Sequence, residues 1–428
     1  MLKIKKPDQT APTSNSLEAL SAIKKKLLGK KLSYHEIFSL MDEVAHETLG
    51  PILTTYFVAA GFKEGFSDQE LYYLTKAMVN TGAKLHFDGI VADKHSTGGL
   101  AGTRTTMILV PIIAAAGFKI PKNSSRAITT PAGTADTMEV LAPVTFSPSQ
   151  IEKMVAKTGG CIVWGGHLGL APADDVIIQV ETPLSFESFD KVIISIMAKK
   201  IASGATHLVL DIPVGLTLKI RHFKDAELIS KKFQLLADKF HIKLAVDINQ
   251  ILEPAGHSVG PALEAIDVLK VLEQKSDRPL VLEAKTLRLA GKLLDLCLDS
   301  KNKEKISGED LARQILQSGQ ALKKMREIIK HQGGDADISI ADIEIGKFKY
   351  EYKSRKKGSI TAFNNKDLTI IAKILGCPSD KKAGIFLERR VDEHVDKNDI
   401  LCILYSSNKW FLEEAKETLK NIPIYSIE

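Results

Sequence analysis

Cysteine is scarce in this chain, which has four cysteines among its 428 residues. Cys161, Cys297, Cys377 and Cys402 lie far apart, and no CxxC pair occurs. Zinc sites and disulfide frameworks usually need closely spaced cysteines, so we expect neither. Unpaired thiols fit a reducing compartment, and the predicted location is therefore cytoplasmic.

The sequence also lacks a membrane segment and a secretion signal. No apolar run reaches the roughly 20 residues that a membrane-spanning helix needs. The first residues, MLKIKKPDQTAPTSNS, have no apolar core of the kind found in signal peptides. We expect residues 1–16 to form a flexible arm, and we expect no membrane partner.

A strong charge of one sign is missing as well. The formal net charge is +6, and lysines and acidic residues are interspersed along the chain. Mixed charge of this kind predicts solvated faces and no nucleic-acid partner. The small positive balance favours anionic ligands.

Apolar residues are abundant, at 44% of the chain, and support a large core in more than one domain. From Ser16 to Asn80 they recur at helical spacing, and serines open the segments, so we predict a helical layer. From Cys161 onwards, short strands such as CIVWGG and HLVLDIPVG alternate with helices. This alternation predicts an α/β fold with a mixed or parallel sheet. Residues 340–428 show β-like alternation and turn signals, followed by the helix-like segment WFLEEAKETLKNI. This pattern predicts a small α+β domain that ends with a helix.

One candidate site is DKHSTGG (93–99), which follows the strand-like GIVA. Ligands of open α/β sheets gather at the carboxyl ends of strands, where glycines let backbone N–H groups approach an anion. Lys94 and Ser96 would add donors to such a phosphate cradle. The alternative is an ordinary strand-to-helix turn with an exposed lysine. The sequence has no GxxxxGK[ST] and no GxGxxG, which argues against a P-loop and a Rossmann cofactor site.

The second candidate stretch, SSRAITTPAGTADTMEVLAPV (124–144), is rich in hydroxyl groups. Its serines and threonines can donate to phosphate or sugar oxygens, and Gly133 allows close backbone approach. The alternative is helix capping and local side-chain bonds to the backbone. Residues 105–118, TTMILVPIIAAAGF, join the two stretches and are too apolar for a surface helix. The pairing of the two loops through one buried helix favours a binding site.

Three further side chains admit two interpretations each. His95 is either a general acid, acting on a leaving group, or a structural histidine bonded to the backbone. Ser195 and Lys199 lie four residues apart on one helix face. They either bind the polar edge of a heterocycle or are a cap and a solvated cation.

Together these motifs resemble the thymidine phosphorylase family, which includes pyrimidine nucleoside phosphorylases and archaeal AMP phosphorylases. KHSTGG, SSRAITTPAGTADTMEVL, LAPADD, SIMAKK and HQGGD follow one another in the family's order over residues 17–428. The resemblance implies phosphorolysis of an N-glycosidic bond, with inorganic phosphate as co-substrate and no metal or organic cofactor. It also implies a site in a cleft between a helical and an α/β domain.

The implied domains are 17–82 with about 172–203 (helical), 83–171 with about 204–335 (α/β) and 340–428 (α+β). The resemblance assigns phosphate to Lys94, Ser96, Ser124, Thr134 and either Thr105 or Thr106. It assigns the base edge to Ser195 and Lys199, and a proton or hydrogen bond to the base to His95.

The chain departs from the pyrimidine enzymes where they carry a base-binding arginine, because Val180 or Glu181 stands there. Other details resemble the AMP phosphorylase branch more closely. That branch implies a nucleotide site formed by Gly99, Ser125, Arg126, Ala127, Ile128, Thr129, Thr130, Thr134, Ser195 and Lys219. Glu187 stands where its proposed proton donor, an aspartate, is found, and Arg126 or Lys219 would bind a 5′-phosphate.

The sequence leaves open which base and sugar are used, and whether His95 or Glu187 supplies the proton. A homodimer formed through the helical layer is expected. A non-catalytic phosphate- or nucleotide-binding protein on the same fold is the alternative.

Overall fold

The computed structural model describes residues 14–127, 130–166, 168–181, 188–298 and 306–428. Its helices are α1 (Ser14–Leu27), α2 (Tyr34–Ala45), α3 (Gly50–Glu64), α4 (Asp68–Asn80), α5 (Thr105–Ala115), α6 (Thr134–Met138), α7 (Pro148–Thr158), α8 (Pro172–Glu181), α9 (Phe189–Ala202), α10 (Phe223–Lys239), α11 (Pro261–Leu272), α12 (Leu280–Cys297), α13 (Gly308–Gln317), α14 (Gln320–His331), α15 (Asn365–Ile374) and α16 (Lys409–Thr418). Its strands are β1 (Ala92–Ser96), β2 (Ile120–Ser124), β3 (Gly160–Trp164), β4 (His207–Val214), β5 (Lys243–Gln250), β6 (Ser258–Val259), β7 (Phe348–Lys353), β8 (Gly358–Phe363), β9 (Gly384–Leu387), β10 (His394–Val395), β11 (Ile400–Ser406) and β12 (Tyr425–Ile427).

The first compact unit is helical and combines the described residues up to Lys84 with Gly169–Ser203 and Lys232–Phe240. Ser33 and Ser67 form capping boxes at the starts of α2 and α4, as serines that open helical segments predict. Helix α1 begins at Ser14, two residues before the predicted start. The third stretch was not part of the predicted helical domain; there the ring of Phe240 packs 5.2 Å from that of Tyr72.

The second compact unit contains Leu85–Leu168, Gly204–Lys231 and His241–Glu428, and its centre is a parallel sheet. Strand β4 pairs with β1 and β5, and β2 pairs with β3, all in parallel. A parallel bridge between Val91 and Lys119 places β2 beside β1. The strand order is therefore β3-β2-β1-β4-β5, and the predicted α/β class is confirmed. In such an order the chain changes direction between β1 and β4, and ligands bind outside the carboxyl ends of strands at that switch point.

Helix α5 connects β1 to β2 and is one of the most apolar segments of the core. Every residue from Thr105 to Ala114 is buried, which confirms the prediction of a buried helix. Because its first turn follows the end of β1, this buried helix fixes the position of the loop between them.

The C-terminal residues form antiparallel sheets around a second hydrophobic core, which also includes Ala101 and Val259. One of these sheets consists of β9, β11 and β7, and β6, which comes from the α/β part of the chain, extends it by pairing with β9. The predicted closing helix is α16. The sequence pattern missed β12, which follows α16 and pairs with β8. Within the described ranges, no helix has both the length and the apolarity needed to cross a membrane.

Candidate functional site

Lys94 lies on β1 at the switch point of the parallel sheet, and its side chain is buried. Its ammonium group donates to Thr105 Oγ1 at 3.1 Å and to Thr106 Oγ1 at 3.4 Å, both in the first turn of α5. The structure thus brings together three of the predicted phosphate-binding residues. Both threonines are within reach of Lys94, and the choice between Thr105 and Thr106 as a phosphate ligand stays open.

The surroundings of Lys94 make its positive charge costly. Burial is the main cause that lowers the pKa of its ammonium group, and the charges of Lys285 and Arg104 act in the same direction. The charge of Asp211 opposes them, and the resulting pKa is about 8. Asp211, on β4, also lies 3.1 Å from Lys285 Nζ and accepts from Asn249. An anion bound at Lys94 would offset the energetic cost of its buried charge. It would also reduce the repulsion between Lys94 and the neighbouring cations.

We call residues 97–104, between β1 and α5, the first loop. Gly98 and Gly99 have φ of +83° and +85°, which favours glycine because a side chain is strained in that region. The N–H groups of Gly98, Gly99 and Leu100 have no hydrogen-bond acceptor within the described part of the chain. Thr97 Oγ1 is buried and is likewise without a partner among the described residues. Such a group of donors is suited to an anion.

Lys219 lies against this loop. A Cβ built on Gly99 would be 3.0 Å from Lys219 Cγ and 3.4 Å from its backbone nitrogen, so a larger residue would displace the lysine. The two positions assigned to the nucleotide, Gly99 and Lys219, are therefore neighbours.

We call residues 125–133 the second loop, of which 125–127 and 130–133 are described. It begins after Ser124 at the carboxyl end of β2, the strand next to β1, and thus at the same edge of the sheet as Ser96. Asp136 Oδ2 accepts from the N–H groups of Ala127 at 2.6 Å and Gly133 at 2.8 Å. A Cβ on Gly133 would lie 2.4 Å from Ser125 O, so no other residue fits there.

Arg104 connects the two loops. Its Nη2 donates to Ala132 O at 2.6 Å, and its Nη1 lies 3.5 Å from Thr134 Oγ1. Its Nε is paired with the buried carboxylate of Glu264. Thr134, another predicted phosphate ligand, therefore belongs to the same hydrogen-bonded group as the first loop. Thr130 bonds locally, through Oγ1 to Ala132 O.

Arg126 is already bound to protein groups. Its two terminal nitrogens each donate to Glu139 at 2.6 Å, and the guanidinium lies 4.8 Å from the Trp164 ring centroid. These bonds from Arg126, together with the smaller effect of Lys381, lower the pKa of Glu139 to about 2 against the effect of burial. A 5′-phosphate at Arg126 would have to compete with this bidentate pair.

In the helical unit, the LAPADD and SIMAKK motifs meet at Asp174. Asp174 Oδ2 accepts from Ser195 Oγ and from Lys199 Nζ, each at 2.7 Å. Asp174 Oδ1 is buried and has no partner in the described residues. Burial would raise the pKa of this carboxyl, but the charges of Lys199 and Lys191 hold it below its usual value. Asp174 stays ionised and fixes the two side chains that the sequence assigns to the base.

Three of the predicted residues, Ile128, Thr129 and Glu187, lie outside the described residues. His95 lies on β1 between Lys94 and Ser96, so strand alternation directs it to the opposite face from theirs. Ser195 and Lys199 belong to a different unit from the Lys94 group.

Several residues that shape these sites were not predicted from the sequence. Asp174 and Thr97 stand inside motifs that were recognised, so the motifs themselves were the signal. Asp211, Lys285 and Arg104 have no local signature, because each acquires its role from a strand or helix distant in sequence.

Three family models match consecutive parts of the chain. The "Glycosyl transferase family, helical bundle domain" covers residues 20–82, and the "Glycosyl transferase family, a/b domain" covers 88–322. The "Pyrimidine nucleoside phosphorylase C-terminal domain" covers 359–425. Among solved structures, anthranilate phosphoribosyltransferase from Thermus thermophilus aligns with a TM-score of 0.60 at 17% identity, over 73% of this chain and 99% of that one. At that identity the likeness shows the fold alone.

Curated relatives are much closer in sequence. The protein named "Putative thymidine phosphorylase" from Legionella pneumophila (strain Paris) is 41% identical over 95% of this chain and 77% of its own length. AMP phosphorylase from Thermofilum pendens is 42% identical over 94% of this chain and 77% of its own length. The predicted family and enzyme class are thus confirmed: the chain belongs to the glycosyl transferase family described by the helical-bundle and a/b-domain models, together with the relatives named thymidine phosphorylase and AMP phosphorylase.

Proposed function

We propose that this protein is a phosphorylase that uses inorganic phosphate to cleave a nucleoside or a nucleoside 5′-monophosphate. A phosphate oxygen forms a bond to C1′ of the sugar, and the C1′–N bond breaks. The bonding electrons leave with the base, which takes up a proton, and the products are the free base and a sugar 1-phosphate. The observation that carries this proposal is the buried Lys94 with its two threonine partners at the switch point of the sheet.

Phosphate is a weak nucleophile, so the protein has to hold it in the correct position and without its water shell. Lys94, Thr105, Thr106 and the N–H groups of the first loop would supply donors that do not reorganise during the reaction. Arg104 holds Thr134 beside this group. Fixed donors around the phosphate support attack at a sugar carbon that develops positive charge.

On the base side, Ser195 and Lys199 would recognise the leaving group. Ser195 Oγ gives its one proton to Asp174, so its oxygen is left to accept a hydrogen bond from a base N–H. Lys199 uses one of its three N–H donors for Asp174 and would stabilise negative charge on the departing base. His95 and Glu187 both stay candidates for the proton.

A 5′-phosphate on the substrate would bind at Lys219. The reason for this assignment is that Lys219 lies against Gly99 of the first loop. Relatives with either name share about the same identity with this chain, so their names do not decide between nucleoside and nucleotide.

A substrate panel tests the proposed reaction. Thymidine, uridine, cytidine, AMP, CMP and UMP are each incubated with the protein, with and without phosphate and with EDTA present, and base release is measured by chromatography. Phosphate-dependent release of at least one base is expected. No release from any of the six would reject the proposal, and tight ligand binding without turnover would favour the non-catalytic alternative.

A pair of variants tests the 5′-phosphate site. Lys219→Ala should raise KM for the active 5′-monophosphate far more than KM for the matching nucleoside. Arg126→Gln should not discriminate between the two substrates, because its guanidinium is bound to Glu139. Equal losses for both substrates in Lys219→Ala would contradict this assignment.

We also propose that the helical unit forms a homodimer. Ile52 and Tyr56 lie one turn apart on α3 and are 73% and 54% exposed, which is unusual for large apolar residues next to each other. Light scattering should give twice the chain mass, and Tyr56→Lys should shift the protein toward monomer. Trp410→Lys, at a still more exposed aromatic residue on α16, is the control and should leave the mass unchanged.

A further inference from the structure

The first loop is held by a residue from the far end of the chain, Asn365. This side chain is buried at the start of α15, in the C-terminal part of the protein. Its Nδ2 donates to the carbonyl of Gly99, and its Oδ1 accepts from the N–H of Ala101 at 2.9 Å. One amide side chain thus pairs with both kinds of backbone group in a loop 264 residues away.

Neighbouring contacts reinforce the attachment. Ala101 is fully buried and belongs to the hydrophobic core of the C-terminal part. The backbone N–H of Asn365 donates to Thr217 Oγ1 at 3.2 Å, two residues before Lys219. The start of α15 therefore holds the first loop and the segment that carries Lys219 at the same time.

We propose that Asn365 is a positioning residue that keeps the first loop in its anion-binding conformation. The inference rests on the proposed function, because the anion would be the phosphate that attacks the sugar. Asn365 does not itself touch the reacting atoms in this proposal. It acts through Gly99 and Ala101, which flank Leu100, whose N–H has no acceptor among the residues that the structure describes.

The loop needs such support for a physical reason. Gly98, Gly99 and Gly102 all have φ between +60° and +85°, and glycine has the largest conformational freedom to lose on ordering. Without the amide, Gly99 O and Ala101 N would seek other partners, and the unpaired N–H groups nearby are available to close the loop on itself. Asn365 satisfies Gly99 O and Ala101 N and leaves the N–H of Leu100 between them open to the ligand.

An amide suits this role better than other side chains. It offers one donor and one acceptor in a plane, whereas a carboxylate can only accept. An aspartate at 365 would keep the bond from Ala101 N, lose the bond to Gly99 O, and place a negative charge against that carbonyl. Aspartate in the first turn is nevertheless favourable for a helix, so Asn365→Asp should leave α15 stable.

The variants Asn365→Ala and Asn365→Asp test the proposal against a matched control. Asn364→Ala removes the N-cap of α15, whose side chain accepts from Asp367 N; the side-chain hydrogen bonds of Asn364 within the described residues go to Asp367, and its backbone N–H donates to Ile424 and not to the first loop. We expect both Asn365 variants to raise KM and the dissociation constant for inorganic phosphate by about 10- to 100-fold. KM for thymidine or another nucleoside substrate should change less than about 3-fold, and Asn364→Ala should lower Tm without changing phosphate binding.

The outcomes separate this inference from the proposed function. If the unaltered protein releases base with phosphate, and Asn365→Asp keeps its Tm and its KM for phosphate, the positioning role is wrong while the function stands. Equal rises in KM for phosphate and nucleoside would mean a general structural role and would also overturn it. If the unaltered protein neither binds phosphate nor releases base, the proposed function and this inference both fail.

Discussion

The ammonium group of Lys94 lies 4.0 Å from Asp211 Oδ2, beyond hydrogen-bonding distance, although both side chains are almost fully buried. The other oxygen of Asp211, Oδ1, lies 3.1 Å from Lys285 Nζ and 3.1 Å from Asn249 Nδ2. The negative charge nearest Lys94 is thus shared with a second cation. Lys94 keeps the capacity to bind an anion, at a cost to the folded protein that can be measured.

Replacing Lys94 with methionine should abolish phosphate binding without lowering the stability of the fold. Burial and nearby cations lower the pKa of Lys94 from 10.5 to about 8, which costs the folded state up to about 3 kcal/mol at neutral pH. Methionine keeps most of the stem, and Asp211 keeps Lys285 as its partner. Calorimetric titration with phosphate and thermal unfolding measure the two effects separately.

Lys122→Met is the matched control, because Lys122 is an equally buried lysine on the neighbouring strand β2 and lies 3.2 Å from Asp93. Its loss weakens a direct buried pair, so this variant should unfold earlier and still bind phosphate. The reverse result, a destabilised Lys94→Met that binds phosphate normally, would remove Lys94 from the site.

Phosphate affinity should fall as the pH rises through about 8. Lys94 must be charged to attract the anion, and burial lowers the pKa of the unliganded ammonium group to about 8. Bound phosphate would raise that pKa, so binding above pH 8 should take up a proton. Calorimetry in two buffers with different ionisation enthalpies detects the uptake, and binding that is independent of pH between 7 and 9.5 would contradict it.

The lowered pKa of Lys94 also makes the stability of the fold depend on pH, in the direction opposite to that of phosphate affinity. Between the folded pKa of about 8 and the unfolded value of 10.5, the unfolded chain binds more protons at Lys94 than the folded chain. The contribution of Lys94 to the free energy of unfolding therefore rises with pH in this window. The stability advantage of Lys94→Met should be largest below pH 8 and should shrink toward pH 10.5.

The sequence predicted the parts of these sites that local pattern determines. The α/β class, the buried helix α5 and the two glycine-containing loops all follow from composition and periodicity. Arg104 escaped notice because the residues that give it a role, Ala132 and Glu264, are 28 and 160 positions away. Asn365 is a further case, since an asparagine at a helix start predicts a cap and nothing more. Long-range pairing of single side chains leaves no periodic signal to read.

Arg104→Lys should weaken phosphate binding while retaining charge beside Glu264. A lysine can reach one partner, whereas the guanidinium pairs with Glu264, Ala132 O and Thr134 together. We expect KM for phosphate to rise by about 10- to 100-fold and stability to fall by about 1–3 kcal/mol. Steady-state kinetics and denaturant unfolding measure both.

Arg288→Lys serves as the control for that change. Arg288 pairs with Asp247 at 3.0 Å, but its side chain is 41% exposed and Asp247 also has Lys292. Its replacement should change stability by less than about 1 kcal/mol and leave KM for phosphate unaltered. Similar kinetic losses in both variants would mean that Arg104 has no special relation to the second loop.

Asp174→Asn should impair recognition of the base while leaving phosphate binding intact. Asp174 is fully buried and holds Ser195 and Lys199 through one oxygen, and asparagine would lose the ionic attraction to Lys199. Ser195 would also be free to turn its proton toward the substrate, which would reverse its preference from a base N–H to a base acceptor. KM for the nucleoside should rise by at least about 10-fold, and the dissociation constant for phosphate should stay within about 2-fold.

Asp175→Asn makes the same chemical change one residue further on, at a side chain that is 37% exposed and 3.7 Å from Lys199. A partly exposed pair at that distance contributes little, so KM for the nucleoside should change by less than about 3-fold. Because the proposed phosphate-binding residues lie in the other compact unit, a variant of Asp174 that loses phosphate and nucleoside together would contradict the division of roles. The buried carboxylate of Asp174 would then stabilise the fold of the helical unit and would have no role in recognising the base.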